Sequence, residues 1–127
     1  MTISNSDTSA GSDWFWSIIA SSRGDRERLR TELFGLGQQE LRSFQSEFLD
    51  LAGELTIPPF DAFVEISEDG LNDVAEWVVS QGKELYQSVL ANPTSIPHSV
   101  EGKGRQILSG VAPQVYEERF GQPLDLY

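Results

Sequence analysis

Apolar residues recur at helical rather than strand spacing along most of this chain. No run shows the strict alternation of apolar and polar residues that marks a half-buried strand. The clearest apolar stripe consists of Leu41, Phe44, Phe48, Leu51, Ala52 and Leu55. Charged and polar residues lie off this stripe, as expected for an amphipathic helix. The pattern therefore predicts an all-α fold, a compact bundle of about five to six helices.

Capping residues and glycines indicate where the first helices begin and end. Ser12 or Asp13 can cap a first helix, and Gly24 marks its exit. A second helix carries an apolar stripe of leucines and stops near residues 35–37, where two glycines make a helix interior unfavourable. The third helix carries the stripe described above.

Two prolines at positions 58–59 predict a short helical turn over residues 60–63. A long helix is predicted from Ser67 to near Asn92, with Gly82 marking a close helix crossing. After a surface loop, a last helix ends at Gly121. The predicted core includes Phe44, Phe48, Leu51, Leu71, Val74 and Val78. The last helix is predicted to carry Ile107, Val111, Val115, Tyr116 and Phe120.

The length of 127 residues favours one domain, which we place at residues 13–127 after a disordered tail at residues 1–12. The chain has no cysteine, which excludes disulfides, thiol catalysis and cysteine-based metal sites. The tail resembles neither a signal peptide nor a membrane anchor, so a cytoplasmic location without membrane association is the simplest expectation.

The distribution of charge along the chain narrows the class of partner. The net charge is -11, and residues 43–82 contain nine acids and no Lys or Arg. Such a surface repels phosphate backbones and anionic lipids, so we expect no nucleic-acid partner and favour a basic protein. A plain solubilising role for the charge is the alternative.

A group of residues near the start of the long predicted helix is the candidate partner-binding surface. Asp69, Asp73 and Glu76 follow i, i+4, i+7 spacing and share one helix face. Glu68 precedes them, and Trp77 borders the acidic face and the apolar stripe, where an indole can anchor a partner. The hypothesis is a non-catalytic interaction module, with an immunity protein or antitoxin that blocks a cationic toxin as one form.

Two rival functions stay open at this point. Asp69, Asp73 and Glu76 could hold a hard cation such as Mg²⁺ or Ca²⁺ in a metal-dependent enzyme, although no calcium-loop pattern is present. A small-molecule sensor would use a pocket lined by Trp14, Phe15 and Phe60. A solvated helix face explains the same carboxylates without any metal, so we predict neither a cofactor nor a metal.

Catalytic residues are not predicted either. His98 is the single histidine, and no cysteine or second histidine can build a triad or a zinc site with it. The segment 102–105 could cradle an anion or form a flexible basic loop. The arginines of residues 23–30 could form an anion or self-association site, or a solvated face paired with Glu27 and Glu32.

Several sequence blocks resemble the bacterial family called domain of unknown function 4240. The blocks are Phe15-Trp16-Ser-Ile-Ile, the segment from Ser67 to Gly82, Asn92-Pro93, and Val115-Tyr116-Glu-Glu-Arg-Phe-Gly121. The chain departs from the family pattern at Ala75, where the family has Arg, at Ile66, where it has Cys, and in a shortened segment at residues 60–65. The resemblance implies a helical fold and assigns no activity.

Overall fold

The computed structural model describes residues 12–65 and 67–124, and these ranges contain helices and no β-strand. Their α-helices are α1 (Asp13–Ser22), α2 (Arg26–Leu33), α3 (Gln38–Glu54), α4 (Glu68–Gln81), α5 (Lys83–Ala91) and α6 (Val111–Phe120). Short 3₁₀ helices occupy three connections: Phe60–Phe63, Pro93–Ser95 and Gly104–Gln106. The predicted all-α fold class is confirmed, and so is the helical turn after the two prolines.

Side-chain caps fix the starts of the first two helices. The Phe15 amide donates to Ser12 Oγ at 3.1 Å, so Ser12 is the cap of α1. The Glu27 amide donates to Asp25 Oδ1 at 2.9 Å at the start of α2. Residues 1–11 of the predicted disordered tail lie outside the described residues. No helix in the described part is long and apolar enough to cross a membrane.

The prediction of one continuous helix from Ser67 to near Asn92 is wrong. The chain breaks at Gly82, whose backbone angles are φ 117° and ψ 172°, and α4 and α5 lie on either side of it. Only glycine adopts this region readily, so the residue ends one helix and begins the next. The last helix ends at Gly121, with φ 72°, as predicted, but Ile107 lies before its start.

An aromatic cluster joins α1, α3 and α5 at the centre of the bundle. The rings of Phe15 and Phe44 lie 4.9 Å apart, and Phe48 meets Phe15 edge-on at 6.0 Å. Trp16 packs between Phe15, at 5.1 Å, and Tyr86, at 5.5 Å. Offset and edge-on contacts of this kind add to the stabilisation from apolar burial.

The rest of the predicted core is largely confirmed. Phe44, Phe48, Leu51, Val74 and Val78 are all buried. Leu71 is half-buried and packs at the edge of the core. The Tyr86 hydroxyl donates to the Leu51 carbonyl at 2.8 Å, which satisfies a polar group inside the bundle. Burial raises the pKa of this phenol, and the nearby Glu54 carboxylate acts in the same direction.

Candidate functional site

The first turns of α4 present two carboxylates to solvent. Ser67 Oγ accepts from the Gly70 amide at 3.0 Å and caps the helix. Asp69 and Asp73, four residues apart, are both exposed on the same side of α4. Asp69 in the first turn also complements the positive end of the helix dipole. The side chain of Glu68 lies outside the described part of the structure.

An acid-lined cavity of about 440 Å³ opens beside this helix start. Its carboxylates come from Glu65, Asp69, Asp73 and Glu101, and its described lining includes no Lys, Arg or His. The remaining described lining residues are Ser67, Gly70, Ser99, Val100, Gly102, Gly104 and Ile107. The cavity therefore combines a carboxylate rim with a few apolar side chains, a surface suited to a cationic group that carries an aliphatic stem.

Long-range backbone pairing builds the side of the cavity that faces α4. The Glu65 amide donates to the His98 carbonyl at 2.9 Å, which holds the segment before α4 against the loop that contains Glu101. The Glu65 side chain then lies over Gly70, and its carboxyl carbon occupies the space that a Cβ at this position would need. Glycine at position 70 thus allows Glu65 to reach the cavity.

Glu76 has a different environment from the other two carboxylates of its predicted face. Ser109 Oγ donates to Glu76 Oε1 at 2.7 Å, and the side chain is half-buried under the segment that precedes α6. Burial raises the pKa of this carboxyl, and the Ser109 hydrogen bond opposes the shift. The negative charge of Asp73 raises the pKa further. Glu76 therefore fastens a loop to α4.

Replacement of Glu76 by Gln is expected to change the pH dependence of stability. The folded carboxyl has a raised pKa. The folded state therefore binds more protons than the unfolded state in the pH interval between the usual pKa of Glu, about 4.3, and this raised pKa. The free energy of unfolding of the parent should fall as pH rises through this interval. Glu76→Gln keeps an acceptor for Ser109 and should remove that part of the fall.

Urea unfolding of the parent and Glu76→Gln from about pH 4 to pH 8 measures the difference, because each curve gives a free energy of unfolding. Glu32→Gln is the comparison. Burial also raises the pKa of Glu32, so this variant should likewise reduce the fall in stability as pH rises. Parallel stability curves for the parent and Glu76→Gln would contradict the assignment. A carboxyl carbon titration of Glu76 by NMR checks the pKa directly.

Trp77 makes contacts inside the protein with the loop that follows α5. Its indole Nε1 donates to Gln106 Oε1 at 2.8 Å, and Lys103 Nζ lies 5.0 Å from the ring centroid. Lys103 belongs to the predicted basic loop, and its ammonium group stacks on the Trp77 ring. The neighbouring Gly102 and Gly104 line the acid cavity. Trp77 is half-buried as a result.

The structure thus brings Asp69 and Asp73 together at the cavity and turns Glu76 and Trp77 toward a loop. Sequence reasoning did not single out Glu65 and Glu101, which complete the carboxylate lining. Glu101 is distant in sequence, and no local pattern announces the pairing of residues 65 and 98. The abundance of acids around Glu65 was the single available signal.

Two of the four arginines of residues 23–30, Arg26 and Arg30, pair with other elements. The Arg30 guanidinium donates to both carboxylate oxygens of Glu118 in α6, at 2.9 and 2.6 Å. This partner lowers the pKa of Glu118. Arg26 donates to the Ile107 carbonyl, which fixes the loop before α6. The predicted pairing with Glu27 and Glu32 is thus replaced, for Arg30, by an ion pair between helices.

The rival sites find little geometric support among residues 12–65 and 67–124. No three His, Cys, Asp or Glu side chains in these ranges stand close enough to hold a metal ion. Of the aromatic residues suggested for a sensor pocket, Phe15 and Phe60 are buried in the core. Trp14 is exposed and meets Phe44 edge-on at 6.4 Å.

A family model described as "Protein of unknown function (DUF4240)" matches residues 11–118 of the chain. The chain belongs to this family. The match spans α1 to α5 and most of α6, so it includes the cavity and every carboxylate that lines it in the described structure. Comparisons with curated proteins and with solved structures gave no match.

Proposed function

We propose that this member of the DUF4240 family is a non-catalytic interaction module that binds a basic protein partner. The observation that supports this function best is the cavity beside α4, whose four described carboxylates face no cationic lining residue. A Lys or Arg side chain of a partner supplies both the charge and the aliphatic stem that this lining favours.

The distribution of charge supports the same partner. Asp69 and Asp73 are exposed at the cavity, within a stretch of forty residues that has nine acids and no Lys or Arg. Complementary charge speeds the encounter of two proteins and disfavours partners of the same sign. Acidic inhibitors that block basic nucleases use this physics, and an immunity-like or antitoxin-like role is the form that we favour.

Affinity capture from the source organism identifies the partner. The parent chain and an Asp73→Lys variant serve as paired baits, and mass spectrometry compares the proteins that each retains. We expect a basic protein that the parent enriches over the variant. Capture of acidic proteins alone, or equal enrichment by both baits, would contradict the proposal.

Kinetics on the purified partner provide the sharper prediction. Asp73→Lys should slow association by about tenfold at low ionic strength, because long-range attraction governs encounter. The difference should nearly disappear at about 1 M salt, where the Debye length is about 3 Å. Surface plasmon resonance or stopped-flow fluorescence measures the rate constants across a salt series.

Glu117→Lys is the matched control for this measurement. It makes the same change in net charge at an exposed position on α6, outside the acidic stretch. We expect it to slow association less than twofold. Equal effects of Asp73→Lys and Glu117→Lys would show that net charge alone acts. Tight binding of duplex DNA by the parent would also contradict the partner class.

A further inference from the structure

Four large apolar side chains are exposed in the described structure: Trp14, Phe34, Ile57 and Phe63. Trp14 has an edge-on contact with Phe44, and Arg30 and Arg119 both stack on the Phe34 ring, at 4.9 and 6.0 Å. Ile57 and Phe63 are 49% and 38% exposed, and within residues 12–65 and 67–124 no ring or cation stacks on Phe63. This pair therefore stands out from the other two.

Ile57 and Phe63 begin and end a short ordered segment, which we call the 57–63 turn. The Phe60 amide donates to the Ile57 carbonyl at 3.0 Å, and the Ala62 amide donates to the Pro59 carbonyl at 3.2 Å. Phe60 is buried and holds the turn on the bundle. The exposed side chains thus belong to a fixed turn, which costs a partner little ordering entropy on binding.

Carboxylates surround this apolar pair along the chain. Glu54 precedes the turn, Asp61 lies within it and Glu65 follows it. Glu54 and Asp61 are exposed, and Glu65 lines the acid cavity. An apolar surface flanked by one sign of charge matches a partner that pairs apolar side chains with the opposite charge.

The spacing between the turn and the cavity suggests the form of the partner. Val64 is extended, with φ -110° and ψ 157°, and joins Phe63 to Glu65. The Cα atoms of Phe63 and Glu65 on either side of Val64 are therefore about 7 Å apart. This is also the distance between side chains i and i+2 on one face of an extended peptide. A partner segment with an apolar and a basic residue two positions apart therefore fits both contacts at once.

We infer that the 57–63 turn and the adjoining cavity form one docking surface for a basic, apolar segment of a partner protein. An apolar side chain of the partner packs on Ile57 and Phe63, while a Lys or Arg two residues away reaches the carboxylates of Glu65, Asp69 and Asp73. The inference rests on the proposed function and adds the anchor to it. Trp77 is not part of the surface, because its indole N–H bonds to Gln106 and it does not line the cavity.

Three synthetic twelve-residue peptides test the surface on the full chain. One repeats Leu-Ser-Lys-Ser and places Leu and Lys two residues apart on one face. The second repeats Ser-Ser-Lys-Ser and keeps the charge without the leucine, and the third repeats Leu-Ser-Glu-Ser. Fluorescence anisotropy gives each affinity, and amide NMR titration maps the contact. We expect the first peptide to bind at least about tenfold more tightly than either control, with shifts concentrated at residues 57–73 and 99–104.

Variants of the anchor separate this inference from the proposed function. Phe63→Ser and Ile57→Ser should each weaken binding of the Leu-Ser-Lys-Ser peptide by about five- to tenfold. Phe34→Ser removes a ring of similar exposure, 39%, on another surface and should stay within twofold. Circular dichroism and thermal melting confirm that each variant is folded before affinities are compared.

Each outcome bears on a different conclusion. If Asp73→Lys weakens peptide binding while Phe63→Ser and Ile57→Ser do not, the docking surface is wrong and the basic partner class survives. If no peptide binds, or the shifts lie elsewhere, the docking surface is wrong, and the affinity capture with the parent and Asp73→Lys decides the partner class separately. If Phe63→Ser converts a dimer of the parent to a monomer in sedimentation, a second copy covers the turn and the inference is overturned.

Discussion

Truncation of Phe48 to Ala is expected to lower the free energy of unfolding by about 3–5 kcal/mol, the cost of a large cavity in a packed core. Phe48 is fully buried on α3 and packs edge-on against Phe15 of α1. Phe44 lies 6.4 Å away on the same helix. The substitution removes a ring from the cluster that joins α1 to α3, so the loss exceeds that of an isolated apolar contact.

Urea unfolding followed by tryptophan fluorescence and by circular dichroism measures this loss. Most small domains have about 5–15 kcal/mol of stability, so Phe48→Ala should move the midpoint far without unfolding every molecule. Phe34→Ala is the matched control, because it truncates the same side chain at a partly exposed position. It also removes the ring on which Arg30 and Arg119 stack, so we expect it to cost about 1–2 kcal/mol, still well below the loss for Phe48→Ala. Similar losses for both variants would show that Phe48 is not a core residue.

The helical stripe on α3 explains why this part of the core could be predicted. Residues such as Phe44, Phe48 and Leu51 recur at helical spacing, and a regular helix turns that spacing directly into a buried face. The same reasoning placed Val74 and Val78 correctly on α4. Amphipathic periodicity is a local signal, so it survives without knowledge of the tertiary arrangement.

The positions of the loops could not be predicted in this way, and the candidate site depends on them. The Leu108 amide donates to Ser80 Oγ at 2.9 Å, and Ser80 Oγ in turn donates to the Glu76 carbonyl at 2.7 Å. Ser109 also donates to the Glu76 carboxylate. Glu76, which was predicted to lie on a solvated helix face, is therefore half-buried against this loop. Contacts between residues about thirty positions apart have no periodic signature, so sequence patterns could not anticipate them.

Asp69 and Asp73, the two carboxylates that α4 contributes to the cavity, share one helix face because of their spacing alone. Glu101 enters the cavity because the loop after α5 folds back onto the segment before α4 through the Glu65 to His98 backbone bond. The helix side of the cavity was therefore predictable and the loop side was not.

The backbone conformation of Gly82 leads us to expect a large loss of stability when this residue is replaced. Replacement by Ala should lower the free energy of unfolding by about 1–3 kcal/mol, because the observed φ of 117° and ψ of 172° are essentially restricted to glycine. A Cβ at this position would meet no atom within 4 Å. Steric crowding is thus excluded as a cause, and backbone strain alone should account for the loss.

Gly53→Ala provides the control with the opposite sign. Gly53 lies in the last turn of α3, next to its final residue Glu54, and a Cβ there also meets nothing within 4 Å. Alanine is favoured over glycine by about 0.5–1 kcal/mol in a helix interior and by less in a last turn, so this variant should be slightly more stable than the parent. Urea unfolding of the two variants beside the parent compares identical chemical changes in two backbone environments. If Gly82→Ala is as stable as Gly53→Ala, the chain continues as one helix from α4 into α5, and the break described at Gly82 is wrong.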